Sequence, residues 1–166
     1  MTPSSLHPIA GTQSNVAMEH PERRPLVYVA SRASIPERGQ MWRKMRDLGA
    51  RIVSSWIDED GEGQTEDFSE LWQRIENEIR SAERLVLYVE PDDFPLKGAL
   101  IEVGMALAMG KPVFIAAPGV TLEPRSFRPL GSWAQHPQVK RIEEDQILAA
   151  VMGNVEHISI SGKLIP

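Results

Sequence analysis

The chain of 166 residues carries 18 lysines and arginines against 23 aspartates and glutamates, a formal net charge of −5, with 42% hydrophobic and 25% charged residues. This composition fits one globular domain with a sizeable core, and the acid excess argues against a large DNA or RNA surface, because backbone binding needs clustered cations. The absence of cysteine excludes disulfides, thiolate catalysis, iron–sulfur clusters and cysteine-based zinc sites, and no stretch approaches the roughly 20 apolar residues that span a bilayer.

Residues 1–24 mix Pro, Ser, Gly, Asn and Gln without an apolar core, so they read as a disordered leader rather than a signal peptide. A cytoplasmic location is the corresponding expectation. From Leu26 the run LVYVA predicts a strand buried on both faces. Ser34, Pro36 and Glu37 predict a Ser-x-x-Glu capping box with Pro in the first turn, and Met41, Trp42, Met45 and Leu48 follow at helical spacing up to Gly49. Arg51 to Trp56 predicts a second strand, and Asp58 to Gln64 an acidic, glycine-bearing loop. Phe68, Leu71, Trp72, Ile75, Ile79 and Ala82 share one stripe of an amphipathic helix.

Leu85 to Val89 is again solidly apolar, followed by a loop from Glu90 to Lys97, a helix from Gly98 to Gly110 and a strand from Lys111 to Ala117. A proline-rich connection runs from Pro118 to Pro137, with a fifth strand at Val139 to Ile142 and a closing helix from Glu144 to Met152. Alternating strands and helices imply right-handed crossovers and a single doubly wound parallel α/β sandwich, here residues 25–155, with 156–166 a C-terminal segment. In such sheets ligands bind beyond the carboxyl ends of the strands. The candidate site therefore draws on Ala30 to Ser34, Trp56 to Gln64, Glu90 to Glu102 and the loop after Ala117.

Within Gly98 to Gly110 the only ionisable side chain is Glu102. A helix apolar all round is expected to be buried, and a carboxylate within it needs pairing, hydrogen bonding or a cavity; a first-turn glutamate that merely caps the helix is the alternative. Asp92 and Asp93 stand in the loop just before, where a turn around Pro91 is their other explanation. Clustered carboxylates without His or Cys partners suit chemistry at an acetal-like carbon, one as nucleophile and another assisting the leaving group. Asp58, Asp60, Asp92 and Asp93 also have the oxygen chemistry of a magnesium site, although a solvated acidic loop accounts for the first pair.

Ser31 and Arg32, with small neighbours just before a helix, suit a phosphate or sugar, but the glycines of a P-loop or dinucleotide fingerprint are absent, and no cofactor is implied. Lys97, immediately before the Glu102 helix that Gly98 opens, is placed to meet a phosphate or to stay a solvated loop charge, and Trp56 to stack on a base or to fill core. The histidines at positions 7, 20, 136 and 157 are too scattered for a metal set or a catalytic triad.

VYVASR at Val27 to Arg32, the IVSSWI segment and above all GALIEVGMALAMGKPVFI from Gly98 to Ile115 resemble the nucleoside 2-deoxyribosyltransferase superfamily, which includes 2′-deoxynucleoside 5′-phosphate N-hydrolases and CMP N-glycosidases. The resemblance covers residues 26–120. It implies that Glu102 attacks the anomeric carbon to form a glycosyl-enzyme intermediate, that Asp92 or Asp93 orients and protonates the base, and that Ser31 and Arg32 meet the sugar or a phosphate. It also implies a homodimer or larger assembly acting on a small nucleoside or nucleotide.

One departure stands out: members carry an aspartate on the helix before the third strand, and the matching position here is Ile75, with Glu76 adjacent. A non-catalytic nucleotide-binding or sensing module is thus the competing expectation. The PGGxGTxxE motif of cytokinin-activating phosphoribohydrolases is absent.

Overall fold

A computed structural model describes residues 23–59 and 66–153. The expectations for most of the leader, for the acidic loop including Asp60, and for the segment after 155 lie outside the described residues. Arg23 and Arg24, read as the end of the leader, belong to the folded body: Arg24 donates from Nη1 to the Gly49 carbonyl at 2.8 Å.

Five strands, β1 (Leu26–Ala30), β2 (Arg51–Ile52), β3 (Arg84–Tyr88), β4 (Val113–Ala116) and β5 (Val139–Ile142), form one parallel sheet in the order β2-β1-β3-β4-β5. Helices α1 (Pro36–Asp47), α2 (Phe68–Ser81), α3 (Gly98–Ala108) and α4 (Ile147–Met152) complete the alternation. Side chains alternate across each strand. Tyr28, Leu85, Leu87, Val113 and Ile115 pack with Ile75 and Ile79 of α2 and Val103 and Ala106 of α3. Val27, Val29, Val86 and Phe114 pack on the opposite face with Trp42 of α1 and Ile147, Ala150 and Val151 of α4. Both faces of the sheet are thereby covered, which is why its central strands are almost uninterruptedly apolar.

Chain order reverses between β1 and β3, and their carboxyl ends diverge there to open a crevice. The loops from Ser31 and from Glu90 enter it together.

Three local expectations change. The second strand stops at Ile52, because the Ser54 hydroxyl takes the Val29 amide at 2.6 Å and the Trp56 indole donates to the Val29 carbonyl at 2.7 Å. Two side chains thus complete the edge of β1 where backbone would have done so, and Trp56 lies in a 3-10 turn (Ser55–Asp58) rather than at a strand end. The capping box at Ser34 does not form: Ile35 is the α1 N-cap without a side-chain bond, and the Ser34 hydroxyl accepts from Arg32 Nε at 3.2 Å. Finally, α3 is not enclosed. Val103 and Ala106 are buried, but Leu100, Ile101, Gly104 and Ala108 are exposed, because α3 lies on one face of the sheet beside α2 with nothing among the described residues over its outer side.

Candidate active site

The crevice holds a cavity of about 420 Å³ whose walls include Ser31, Arg32, Asp93, Lys97, Gly98 and Glu102. Six of the eight residues singled out from the sequence therefore share one space. Asp92 and Trp56 do not line it. The Asp92 side chain is exposed, and its backbone carbonyl accepts from Arg32 Nη1 at 2.9 Å. Trp56 lines a neighbouring cavity.

Glu102 is the fifth residue of α3, beyond the first turn where the helix dipole acts most strongly, and it is partly buried on the cavity wall. Burial pushes its carboxyl up to about 7; the Tyr28 hydroxyl pulls partly back, and the charge of Glu78 adds to the rise. Tyr28 itself is wholly buried beneath the sheet surface, its hydroxyl lacks a well-formed hydrogen bond, and burial together with Glu102 holds its ionisation far above the ordinary range. The pair leaves a carboxylate whose proton is easily gained and lost near neutrality, facing a void.

Glu78 is the residue that sequence reasoning missed. Ile75, at the position of the expected helix acid, is core, and Glu76 turns outward to Arg80 at 2.5 Å. Glu78, three residues after Ile75 on the same helix, accepts from the Ser55 amide at 3.2 Å, and burial raises its own carboxyl. The available signal was its spacing: an acid one turn beyond Ile75 shares that residue's side of α2.

Asp93 is buried in a different setting. Its Oδ2 accepts from the Glu90 amide at 2.7 Å, closing a capping box over the turn Pro91–Asp93, and meets Arg38 Nη2 at 3.2 Å. Arg38 also donates to Glu90 Oε1 at 2.7 Å and lies 4.7 Å from the Tyr88 ring centre, while the Tyr88 hydroxyl donates to the same Glu90 oxygen at 2.8 Å. Arg38 holds the Glu90 carboxyl below its ordinary range, and burial, reinforced by Glu90, pushes Tyr88 up to about 12. This network fixes the loop that walls the cavity, yet Asp93 Oδ1 is buried without a hydrogen-bond partner.

The cations divide similarly. Arg32 is tethered through Nε and Nη1, and Lys97 is the exposed N-cap of α3. The Ser31 hydroxyl accepts from Trp42 Nε1 at 3.0 Å, which keeps its own proton available for donation. Asp58, the first of the suggested magnesium ligands, is taken up by Arg46 at 2.8 and 2.7 Å, and that bond lowers its carboxyl.

No protein-family profile and no curated protein sequence matches the chain. Among solved structures, a 2-deoxyribosyltransferase from the psychrotolerant bacterium Bacillus psychrosaccharolyticus is similar at 22% identity and a TM-score of 0.45, over 59% of this chain and 77% of the other. The CMP N-glycosidase BcmB of Clostridium botulinum is similar at 15% identity and a TM-score of 0.48, over 75% of this chain and 96% of the other.

Proposed function

We propose that the protein cleaves or transfers the N-glycosidic bond of a nucleoside or nucleoside 5′-monophosphate, with Glu102 as nucleophile. The observation that carries this reading is a single carboxylate, raised to about 7 by burial, set against a cavity that also holds Asp93, Ser31, Arg32 and Lys97. A Glu102 oxygen attacks the anomeric carbon; the carbon–nitrogen bond breaks, its electron pair leaves with the base, and the base nitrogen takes a proton from a water molecule, whose hydroxide is neutralised by the solvent. The glycosyl ester is then opened by water or by a second base, which restores the carboxylate. Positive charge developing on the sugar is stabilised by the same carboxylate before it bonds.

Asp93 acts by positioning: with Oδ2 held by Arg38 and the Glu90 amide, it fixes the loop that walls the substrate cavity. Ser31, Arg32 and Lys97 make the polar wall for a 5′-phosphate. The reading is tested by incubating the protein with ribo- and deoxynucleosides and their 5′-monophosphates, with and without an acceptor base, and following free base by chromatography. Release that disappears in Glu102→Gln supports it, and the absence of turnover on every substrate overturns it. The buried Ile75 favours a second reading, a nucleotide sensor, for which thermal stabilisation by a nucleotide without turnover is the expected result.

A further inference from the structure

We infer that the site continues into a second compartment, so that the favoured ligand is a nucleotide extended at its 5′ phosphate through a pyrophosphate link. This rests on reading the first cavity as a nucleotide site. Beside that cavity lies another of about 320 Å³, and Ala33 is the one lining residue the two have in common. Ala33 therefore stands where the two cavities adjoin, next in the chain after Ser31 and Arg32 of the polar wall.

The second compartment has a different chemistry from the first. Trp56 and Pro36 give it flat apolar surface, and the indole N–H is already spent on the Val29 carbonyl, so Trp56 offers ring rather than donor. Arg43 supplies a guanidinium anchored through Nη1 to the Ile57 carbonyl, and its other nitrogens make no hydrogen bond among the described residues. Gly39 leaves it that position: a methyl there would stand 3.3 Å from both Arg43 Nη1 and the Ile57 carbonyl. The carboxylate in the compartment, Glu59, is neutralised by Arg74 at 2.6 Å.

Each cavity thus has its own arginine, Arg32 in the first and Arg43 in the second, as two linked phosphates require, and the second adds the aromatic surface of Trp56. A monophosphate leaves Arg43 and Trp56 without a partner. A nucleoside diphosphate engages Arg43, and a pyrophosphate-linked dinucleotide engages Trp56 as well.

The test is calorimetric titration of the full chain with the 5′-monophosphates, 5′-diphosphates and pyrophosphate-linked dinucleotides of adenosine, guanosine, cytidine and thymidine. In at least one base series an extended ligand is expected to bind roughly tenfold more tightly than its monophosphate. That ratio is expected to fall to about one in Arg43→Gln, which removes the charge, and in Gln40→Trp, which fills the compartment from the exposed face of α1. Equal binding of short and extended ligands in every series, or a ratio untouched by both variants, overturns the inference. Base release from monophosphates with no gain on extension overturns this inference alone. A gain on extension without base release overturns the catalytic reading and leaves the second compartment standing.

Discussion

Arg38 Nη2 meets Asp93 Oδ2 at 3.2 Å, with both side chains almost fully removed from solvent. The acid that the sequence places in catalysis is therefore also the anchor of the loop that shapes the cavity. Replacing Arg38 by Met leaves the Asp93 charge buried and unpaired, and a loss of about 3–5 kcal/mol is expected. Urea unfolding measures it, and the double variant Arg38→Met with Asp93→Asn should recover part of the loss, since the stranded charge is then gone.

Glu102 carries a pH signature of definite sign. Its carboxyl lies at about 7 against an ordinary 4.5, so between those values the folded protein binds a proton that the unfolded chain has released. The resulting stability is present below the unfolded value and is lost as pH rises toward 7. Under the proposed role of Glu102, in which the ionised carboxylate attacks, activity runs the opposite way: kcat/KM should rise with pH about a midpoint near 7. Glu102→Gln should be inactive yet more stable than the parent at pH 8, as read by thermal melts.

The charge of Glu78 raises both Glu102 and Tyr28. Removing it in Glu78→Gln should move the midpoint of the pH–rate profile downward while keeping the Ser55 amide paired through the side-chain carbonyl. A purely structural role would lower stability and leave the midpoint where it was. Initial rates of base release across pH 5–9 distinguish the two.

Ser54 and Trp56 complete the hydrogen bonding of Val29 from the side, at 2.6 and 2.7 Å. Ser54→Ala strands a buried amide and Trp56→Phe an acceptor next to it. Each is expected to cost about 1–3 kcal/mol in denaturant unfolding. A Trp56→Phe protein as stable as the parent would remove Trp56 from the edge of the sheet as a structural element.

Leu100, Ile101 and Phe68 are exposed on α3 and at the start of α2, with Ile101 at 51% and Phe68 at 68%. The family resemblance implies an assembly of two or more copies, and we propose this side as the place where a second copy packs. Around Gly104, on the same helix, an added side-chain carbon would meet open space. Ile101→Asp should therefore leave the fold intact and shift sedimentation toward the monomer.

Much of the fold was legible because its signals are local. The apolar run from Leu85 to Val89 and the stripe of Ile75 and Ile79 on α2 follow directly from burial on two faces and on one. Arg51 to Trp56 misled for an equally definite reason. Its residues have strand propensity, but the Val29 amide donates to Ser54, 25 positions on, and Trp56, 27 positions on, donates to the Val29 carbonyl, which ends the ladder early. The apolar composition of α3 likewise did not tell a core helix from one with an uncovered side.

The sequence by itself determined the alternating α/β order, the isolation of Glu102 in an apolar helix and the convergence of the Ser31 and Glu90 loops at one end of the sheet. Only the tertiary structure decided which charges meet. It sent Asp93 to Arg38, turned Glu76 outward, brought Glu78 within the field of Glu102, and set Ala33 between two cavities. The physical reason is that hydropathy is written into each segment's own period, whereas a carboxylate's partner depends on strand order and helix rotation, which join residues far apart in the chain.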